Sequence, residues 1–169
     1  KKVEESMCIW QKKKIKMSLT PFEDKEVLKL ASTMFDSILI YAELKKTKED
    51  PNAIALEFIK TALENDHLKN EAYCQLIKMT SMVPEEQQAS GLKCWDLLAA
   101  CVTNFIPTDN DLQLILIMHF RNAPNGAVQN YLSAFHETKY GEVRPNVNNL
   151  MAAINATKHA ERTRYSVRA

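Results

Sequence analysis

Four cysteines and four histidines are the residues of this 169-residue chain best suited to chemistry, but their spacing does not assemble a site. Cys94 and Cys101 are seven residues apart, which on a helix places them on one face about 10 Å apart along the axis. That separation is too large for one tetrahedral zinc ion, and no histidine lies nearby in the sequence. His119 falls in the most apolar segment, which favours a hydrogen-bonded core histidine over a functional one.

Known catalytic and cofactor-binding motifs are also missing from the sequence. It has no GxGxxG or GxxxxGK phosphate loop, no GxSxG nucleophile elbow and no HExxH metal motif. Only three residues are glycine, which disfavours phosphate-cradling loops. Glu85 and Glu86 form an acidic pair at an expected helix start, where the helix dipole gives them a structural role. We therefore expect a protein that is not an enzyme and that uses no cofactor or metal.

Charge and hydropathy limit the classes of partner. Twenty-two Lys and Arg against 21 Asp and Glu leave a net charge of +1, so no global field draws the chain to nucleic acid or anionic lipid. No apolar run reaches the roughly 18 residues that a membrane-spanning helix needs. Most of the cysteines sit in apolar helical patterns without a CxxC pair, as reduced thiols of a cytosolic protein do. We expect a cytoplasmic location and, since the chain begins without Met, a longer parent polypeptide.

Three clusters of basic residues are the candidate binding surface. Their members are Lys12, Lys13, Lys14 and Lys16 near the N-terminus, Lys45, Lys46 and Lys48 after the first long helix, and Lys158, Arg162, Arg164 and Arg168 in the tail. Such clusters are ordinarily solvated charged faces. The functional alternative is contact with an acidic surface such as a microtubule, a phospholipid head group or an acidic partner segment. No aromatic residues are interleaved for stacking on bases, so nucleic acid is not expected as a partner.

The elements that must position these residues are all predicted to be helices. Thr20 can cap a helix with Pro21 at its first position and Glu23 three residues after the cap, and apolar spacing continues this helix to Lys45 and Lys46. The later apolar stripes have similar spacing, and the connections between them are short, as in helix bundles. They predict an all-α fold, a single compact domain of seven to eight helices over residues 1–169. Within it, residues 1–19 are a lead-in and residues 159–169 a basic tail toward a following domain.

Two later helices carry specific expectations. Asp50 and Pro51 repeat the pattern of a cap followed by proline, and Thr108 or Asp109 is placed to cap the helix that contains LQLILIMHF. That run is apolar on nearly every side, so we expect the helix to be central and buried. A last helix is expected from about Asn146 into the basic tail.

Two segments between residues 68 and 108 resemble a known family. The segment LKNEAYCQLIKMT resembles the LRDEIYCQLIKQT signature of the myosin and kinesin tail homology domain, the fourth of the named tail regions, and LKCWDLLAACVTNFIPT resembles its RGWELLALCLGLFLPS. The resemblance implies structural roles for Leu68, Glu71, Tyr73, Gln75, Leu76, Lys93, Trp95 and Pro107. Leu68, Leu76 and Trp95 would be core anchors. Glu71 would satisfy backbone N–H groups or pair with a base such as Lys93, and Tyr73 and Gln75 would need polar partners.

Some positions depart from the family pattern. Lys69 and Asn70 replace the Arg-Asp of the family signature, and Lys cannot form the bidentate hydrogen bonds that Arg makes with a carboxylate. Members that resemble microtubule binders carry a Lys stripe on the helix after the FLPS-like segment. The matching positions here are roughly Gln113, Leu116 and Phe120, so that stripe is missing.

The resemblance implies a non-catalytic cytoskeletal adaptor or tail module, as in unconventional myosin tails, some kinesins and adaptors with pleckstrin-homology domains. Such a module packs with a following FERM domain to bind cargo tail peptides or cytoskeletal partners, and its association with a membrane would be indirect. Direct binding of microtubules or acidic partners through the Lys/Arg clusters, and a purely structural spacer, remain the alternatives.

Overall fold

The structure is a computed structural model that describes residues 9–141 and Ile154. This part of the chain forms α-helices without any β-strand, which confirms the all-α class. The helices are α1 (Lys25–Tyr41), α2 (Pro51–Glu64), α3 (Asp66–Met79), α4 (Gln88–Asn104), α5 (Asn110–His119) and α6 (Val128–Tyr140). Single 3-10 turns cover Glu85–Gln87, Phe120–Asn122 and Pro124–Gly126.

The expected count of seven to eight helices is too high for the described residues, which hold six. No helix forms between residues 9 and 24, where the chain makes only bends. The last predicted helix, from about Asn146, falls outside the described residues. Ile154 is the one residue of that stretch that the structure describes, and it is helical and buried in the core.

Polar side chains cap four helices, α1, α2, α3 and α5. Asp50 accepts a hydrogen bond from Asn52 N at 3.1 Å before α2, and Asp109 accepts one from Leu112 N at 2.8 Å before α5. Both caps were predicted. Asn65 ends α2 and also caps α3, so a single non-helical residue joins these two helices. Each cap satisfies an N–H group that the helix itself cannot pair.

Helix α1 starts later than predicted. Asp24 caps it by accepting from Glu26 N at 2.8 Å, and the first helical residue is Lys25. The prediction that Thr20 caps this helix is wrong, because the backbone N–H and the hydroxyl of Thr20 are both bonded to Glu71 on α3. Thr20 therefore donates to a carboxylate that is distant in the sequence, and Asp24 accepts the hydrogen bond at the start of α1.

Helix α1 also ends earlier than predicted, at Tyr41 instead of near Lys45 and Lys46. Glu43 adopts a left-handed conformation with φ of 63°, and Leu44 N then bonds to Leu39 O at 2.8 Å. This hydrogen bond across the helix end is the Schellman closure, which usually places glycine where Glu43 stands.

Helix α3 is the centre of the packing. It contacts α1, α2, α4 and α5, while α6 packs against α4. The fully buried large side chains come mainly from α1 to α4 and include Phe35, Phe58, Leu68, Tyr73, Leu76 and Leu97. Because α3 has neighbours on several sides, even its charged residues Glu71 and Lys78 are buried.

Helix α5 is not the central helix that its sequence predicts. Leu112, Gln113, Leu116 and His119 face the core, but the opposite face is open to solvent. Leu114, Ile115 and Met118 are 61%, 52% and 60% exposed. The expectation was wrong because α5 lies at an edge of the packing, so only one side of an almost uniformly apolar helix finds a neighbour.

Candidate functional site

The buried carboxylate of Glu71 holds the chain just before α1. Its Oε1 accepts from Leu19 N at 2.8 Å and from Gln75 Nε2 at 3.0 Å. Its Oε2 accepts from Thr20 N at 2.8 Å and from Thr20 Oγ1 at 2.6 Å. Four donors thus stabilise one buried charge, as a buried carboxylate requires. The two predicted partners of Glu71 were backbone N–H groups and a base such as Lys93. The structure shows backbone N–H groups, which are those of Leu19 in the lead-in and of Thr20 directly after it.

A second polar contact fixes the start of the lead-in on the same helix. Lys78 is 2% exposed, and its Nζ donates to Ile9 O at 2.6 Å. Trp10 N donates to Ser81 O at 3.3 Å just beyond the helix. Since Glu71 and Lys78 lie two turns apart on α3, the helix secures the lead-in at both ends of residues 9–20.

The other family-signature residues lie where their structural roles require. Leu68, Leu76 and Trp95 are buried in the core, and Pro107 is buried at the turn before α5. Tyr73 donates its hydroxyl to Phe105 O and meets the Phe105 ring edge-on at 5.2 Å.

Two of the polar signature residues have partners that sequence alone did not name. Gln75 Nε2 bonds to Ala31 O at 2.9 Å, which ties α3 to α1. Lys93 is exposed and lies with its Nζ 5.6 Å above the Tyr41 ring. A cation–π contact therefore takes the place of the Glu71 pairing that was considered for Lys93.

Lys69 and Asn70, two residues that depart from the family pattern, each have a partner, one local and one distant in sequence. Lys69 Nζ lies 3.0 Å from Asp66 Oδ1 within the first turn of α3. Asn70 Oδ1 accepts from Thr108 N at 2.8 Å, and Asn70 Nδ2 donates to Thr108 Oγ1 at 3.0 Å. The Asn amide thus closes the turn before α5 with a donor and an acceptor, both of which an amide provides.

Two of the three basic clusters come together. Lys14 Nζ and Lys45 Nζ lie 3.4 Å and 3.3 Å from the same atom, Asp36 Oδ2 on α1. We call the exposed lysines around this point the basic surface; they are Lys12, Lys13, Lys14, Lys16, Lys45, Lys46 and Lys48. The third cluster, Lys158, Arg162, Arg164 and Arg168, lies outside the described residues. Nothing in the order of the sequence indicated that the first two clusters share an acidic partner.

The α5 apolar face, formed by Leu114, Ile115 and Met118, is a feature that sequence reasoning missed. The positions that match the family's Lys stripe, Gln113, Leu116 and Phe120, are all buried, so they cannot carry a solvent-facing stripe. Gln113 instead donates to Pro107 O at 2.7 Å and accepts from Lys139 Nζ at 2.9 Å. The solvent-facing residues beside these buried positions are the apolar Leu114, Ile115 and Met118 and, just beyond the helix, the basic Arg121.

His119 is a core histidine, as predicted. Its ring stacks on Trp95 with centroids 5.0 Å apart, and its Nε2 lies 2.6 Å from Thr80 Oγ1. Burial lowers the pKa of His119 to about 4, so the ring is neutral near pH 7. Burial raises the pKa of the Cys94 thiol to about 12 and raises that of Cys101 as well. Neither thiol is in the reactive thiolate form.

The described residues hold no group of three His, Cys, Asp or Glu side chains arranged to bind a metal ion. None of the helices in this part of the chain has the length and apolar character to cross a membrane. The polar side chains described above mostly bind the chain to itself, whereas the basic surface and the α5 apolar face are directed outward. These two surfaces are the candidate functional sites.

The comparison with known families decides the class of this domain. The family model of the MyTH4 domain matches residues 55–166 of the chain. The chain belongs to the MyTH4 domain family. The match takes in both signature segments, from Leu68 to Pro107. A MyTH4 domain is a non-catalytic part of myosin tails, and this membership associates the chain with the cytoskeleton.

Two curated myosins are similar to this MyTH4 domain over most of its length. The high molecular weight form of myosin-1 from Acanthamoeba castellanii is 32% identical over 153 residues, which cover 87% of the chain and 9% of that protein. The myosin-I heavy chain of Dictyostelium discoideum is 32% identical over 112 residues, which cover 63% of the chain and 5% of that protein. The chain thus spans less than a tenth of these relatives.

Solved MyTH4–FERM structures share the fold. The human Myosin 7b C-terminal MyTH4–FERM domain, solved in complex with the harmonin-a PDZ3 domain, has a TM-score of 0.76 at 16% identity, covering 88% of this chain and 32% of that one. The Dictyostelium discoideum Myosin VII MyTH4–FERM MF1 domain has a TM-score of 0.71 at 23% identity, covering 89% and 33%. In both, about two thirds of the solved chain lies outside the MyTH4 match.

Proposed function

We propose that this MyTH4 domain is an adaptor module that packs against a following FERM domain and, with it, binds a protein partner. The observation that carries the proposal is the α5 apolar face, where Leu114, Ile115 and Met118 are each more than half exposed. An exposed group of large apolar side chains on one helix is typical of a surface that another protein surface covers.

The choice of a FERM domain as the occupant rests on the architecture of the structural neighbours. The human Myosin 7b and Dictyostelium Myosin VII chains each join a MyTH4 domain to a FERM domain. Full burial of a Leu, Ile or Met side chain contributes about 1.5–3 kcal/mol, and these three side chains are buried only in part within the domain. Covering the face would therefore add a few kcal/mol to the stability of a two-domain unit.

The partner of that unit is proposed by analogy. The Myosin 7b MyTH4–FERM domain was solved with the PDZ3 domain of harmonin-a, so a protein module or peptide is the class of ligand we propose here. The combined unit would link cargo to the cytoskeleton.

The test compares the chain alone with the chain joined to the sequence that follows it in its parent protein. We expect α5 to become protected from hydrogen exchange in the longer protein and its melting temperature to rise. Met118→Lys should weaken both effects. Met17→Lys, a change at a similarly exposed Met of the lead-in (66% against 60%), is the matched control. Equal exchange of α5 in both proteins would contradict the proposal, and protection of α5 without any partner binding would favour the structural spacer.

A second candidate function is direct binding of a microtubule or another acidic partner through the basic surface. The observation that favours it is the convergence of Lys14 and Lys45 on Asp36, which joins two separate clusters into one patch. Asp36 and the three acidic residues beside the second cluster, Glu43, Glu49 and Asp50, supply four carboxylates against seven lysines, so the patch keeps a local excess of positive charge although the chain is nearly neutral.

Co-sedimentation with microtubules across a salt series tests this second function. Binding should fall as salt increases, because exposed charges are screened. Neutralising Lys13 and Lys46 to Gln should weaken binding, while the same change at Lys25 and Lys60, exposed lysines outside the basic surface, should leave it unchanged. If both double variants lost the same amount of microtubule binding, the attraction would depend on the net charge of the domain and not on the basic surface.

A further inference from the structure

Thr20 is the one hydroxyl residue of this chain that is followed by proline. The six prolines follow Thr20, Asp50, Val83, Ile106, Ala123 and Arg144. A threonine followed directly by proline is the sequence that proline-directed protein kinases accept. We propose that Thr20 is a phosphorylation site and that its phosphate releases the end of the lead-in that Glu71 holds on α3.

The local backbone suits a kinase substrate. Residues 9–24 contain bends but no helix or strand, and a helical conformation is disfavoured for the residue before a proline. Pro21 is exposed and Thr20 is half-buried, so the segment lies at the surface with its hydroxyl turned toward α3. A kinase reaches that hydroxyl when the segment lifts from Glu71.

Phosphorylation of Thr20 would remove a hydrogen bond to Glu71, because the modified atom is the donor of that bond. Thr20 Oγ1 donates to Glu71 Oε2 at 2.6 Å, and Glu71 is fully buried. The kinase transfers the γ-phosphoryl group of ATP: the bond from phosphorus to Oγ1 forms, the bond to the leaving ADP breaks, and the hydroxyl proton passes to the catalytic base of the kinase. The product has no proton to donate at Oγ1.

The phosphate also adds negative charge beside the negatively charged carboxylate of Glu71. A phosphothreonine carries about −1.5 to −2 charges near pH 7. That charge would stand directly against a buried carboxylate, and both Glu71 oxygens already accept from donors that the folded chain supplies. Like charges at short range in a poorly solvated place repel strongly. The Leu19 and Thr20 amides would then lose their acceptor and exchange with solvent.

Release of the segment would rearrange the basic surface. Lys12, Lys13, Lys14 and Lys16 belong to the lead-in, whereas Lys45, Lys46 and Lys48 follow α1. With the Glu71 contact broken, the lead-in keeps its attachment at Lys78 and Ser81 but loses the one at its other end, so its lysines are held less firmly beside those after α1. This consequence for binding rests on the second proposed function, whereas the phosphorylation site and the release do not.

The direct experiment treats the 169-residue chain with ATP and a cyclin-dependent kinase, locates the phosphate by mass spectrometry and follows amide hydrogen exchange. We expect phosphate on Thr20, none in Pro21→Ala, and exchange of the Leu19 amide at least about tenfold faster after modification. Absence of phosphate on Thr20, with a peptide of residues 12–26 modified under the same conditions, would overturn the proposal. A Leu19 amide that stays protected after modification would overturn it equally.

Variants separate the charge from the loss of the hydroxyl. Thr20→Glu adds a negative charge, whereas Thr20→Val removes only the hydrogen bond. We expect Leu19 exchange to be at least about tenfold faster in T20E than in T20V, and the difference to shrink below about threefold when each is combined with Glu71→Gln. Equal exchange in T20E and T20V would contradict the electrostatic release. Should T20E fail to fold by circular dichroism, the phosphorylated chain gives the same readout.

Discussion

The indole of Trp95 and the imidazole of His119 lie face to face, with ring centroids 5.0 Å apart and ring planes 5° apart. The stack joins α4 to α5. Tyr131 approaches the same indole edge-on at 5.4 Å from α6, and its hydroxyl donates to Trp95 O at 2.9 Å. Three helices therefore meet at one tryptophan, which is also a residue of the family signature.

Replacing Trp95 with Ala should lower the free energy of unfolding by roughly 3–5 kcal/mol, because a large buried side chain leaves a cavity and the His119 stack is lost. Urea denaturation measures the change. Leu92→Ala on the same helix removes an exposed side chain and should cost less than about 0.5 kcal/mol. A loss below about 1 kcal/mol at Trp95 would show that the stack does not stabilise the fold.

The buried His119 should make stability fall as the solution becomes acidic. Its pKa is lowered from 6.5 to about 4 by burial, so the folded chain binds this proton more weakly than the unfolded chain does. The contribution of neutral His119 to the free energy of unfolding is complete above about pH 6.5 and is lost as the pH falls toward 4. The total loss is about 3 kcal/mol. Unfolding free energies at pH 7, 5.5 and 4.5 would trace it.

The matched variants for this pH dependence are His119→Gln and His67→Gln. The first removes the titrating ring and should flatten the fall between pH 6.5 and 4, whatever its stability at pH 7. The second alters an exposed histidine and should keep the wild-type slope. An unchanged slope in His119→Gln would assign the acid sensitivity to other groups.

Loss of the Glu71 carboxylate should weaken both the fold and the attachment of the lead-in. Glu71→Ala leaves the Leu19 and Thr20 amides without their acceptor, and an unpaired buried donor costs about 1–3 kcal/mol. We expect a total loss of roughly 2–4 kcal/mol by thermal or urea unfolding. Glu64→Ala, which removes an exposed carboxylate at the end of α2, should change stability by less than about 0.5 kcal/mol.

The left-handed residue after α1 offers a stabilising substitution. Glu43 has a φ of 63°, a conformation that costs a residue with a Cβ about 1 kcal/mol or more and that glycine adopts freely. Glu43→Gly should therefore raise the unfolding free energy by about 0.5–1 kcal/mol. Glu43→Ala removes the same side-chain atoms beyond Cβ without relieving the backbone, and it should give no comparable gain.

Helix caps and apolar stripes in the sequence predicted those parts of the fold that depend on residues close together in the chain. Asp50 and Asp109 cap helices as expected, since a short polar side chain next to a helix start has a nearby N–H to accept from. Leu68 and Trp95 are buried because their apolar stripes leave no alternative face. The two surfaces directed outward could not be found in this way.

Distant contacts explain what the local signals missed. Thr20 looks like a helix cap, but Glu71, 51 residues later in the chain, takes its hydrogen bonds. The approach of Lys14 and Lys45 to Asp36 depends on where the lead-in crosses α1, which no sequence period encodes. On α5 apolar residues occur on every side, so periodicity could not indicate which side faces solvent; only the position of its neighbours decides that.

The single residue between α2 and α3 bears on how a tail domain transmits force. Asn65 is extended, and one residue can lengthen a chain by at most about 3.6 Å. Its side chain is also bonded to His67 N, so the joint is already close to its full length and braced at one end. A pull applied along the chain would therefore pass from one helix to the other with almost no lengthening of the joint.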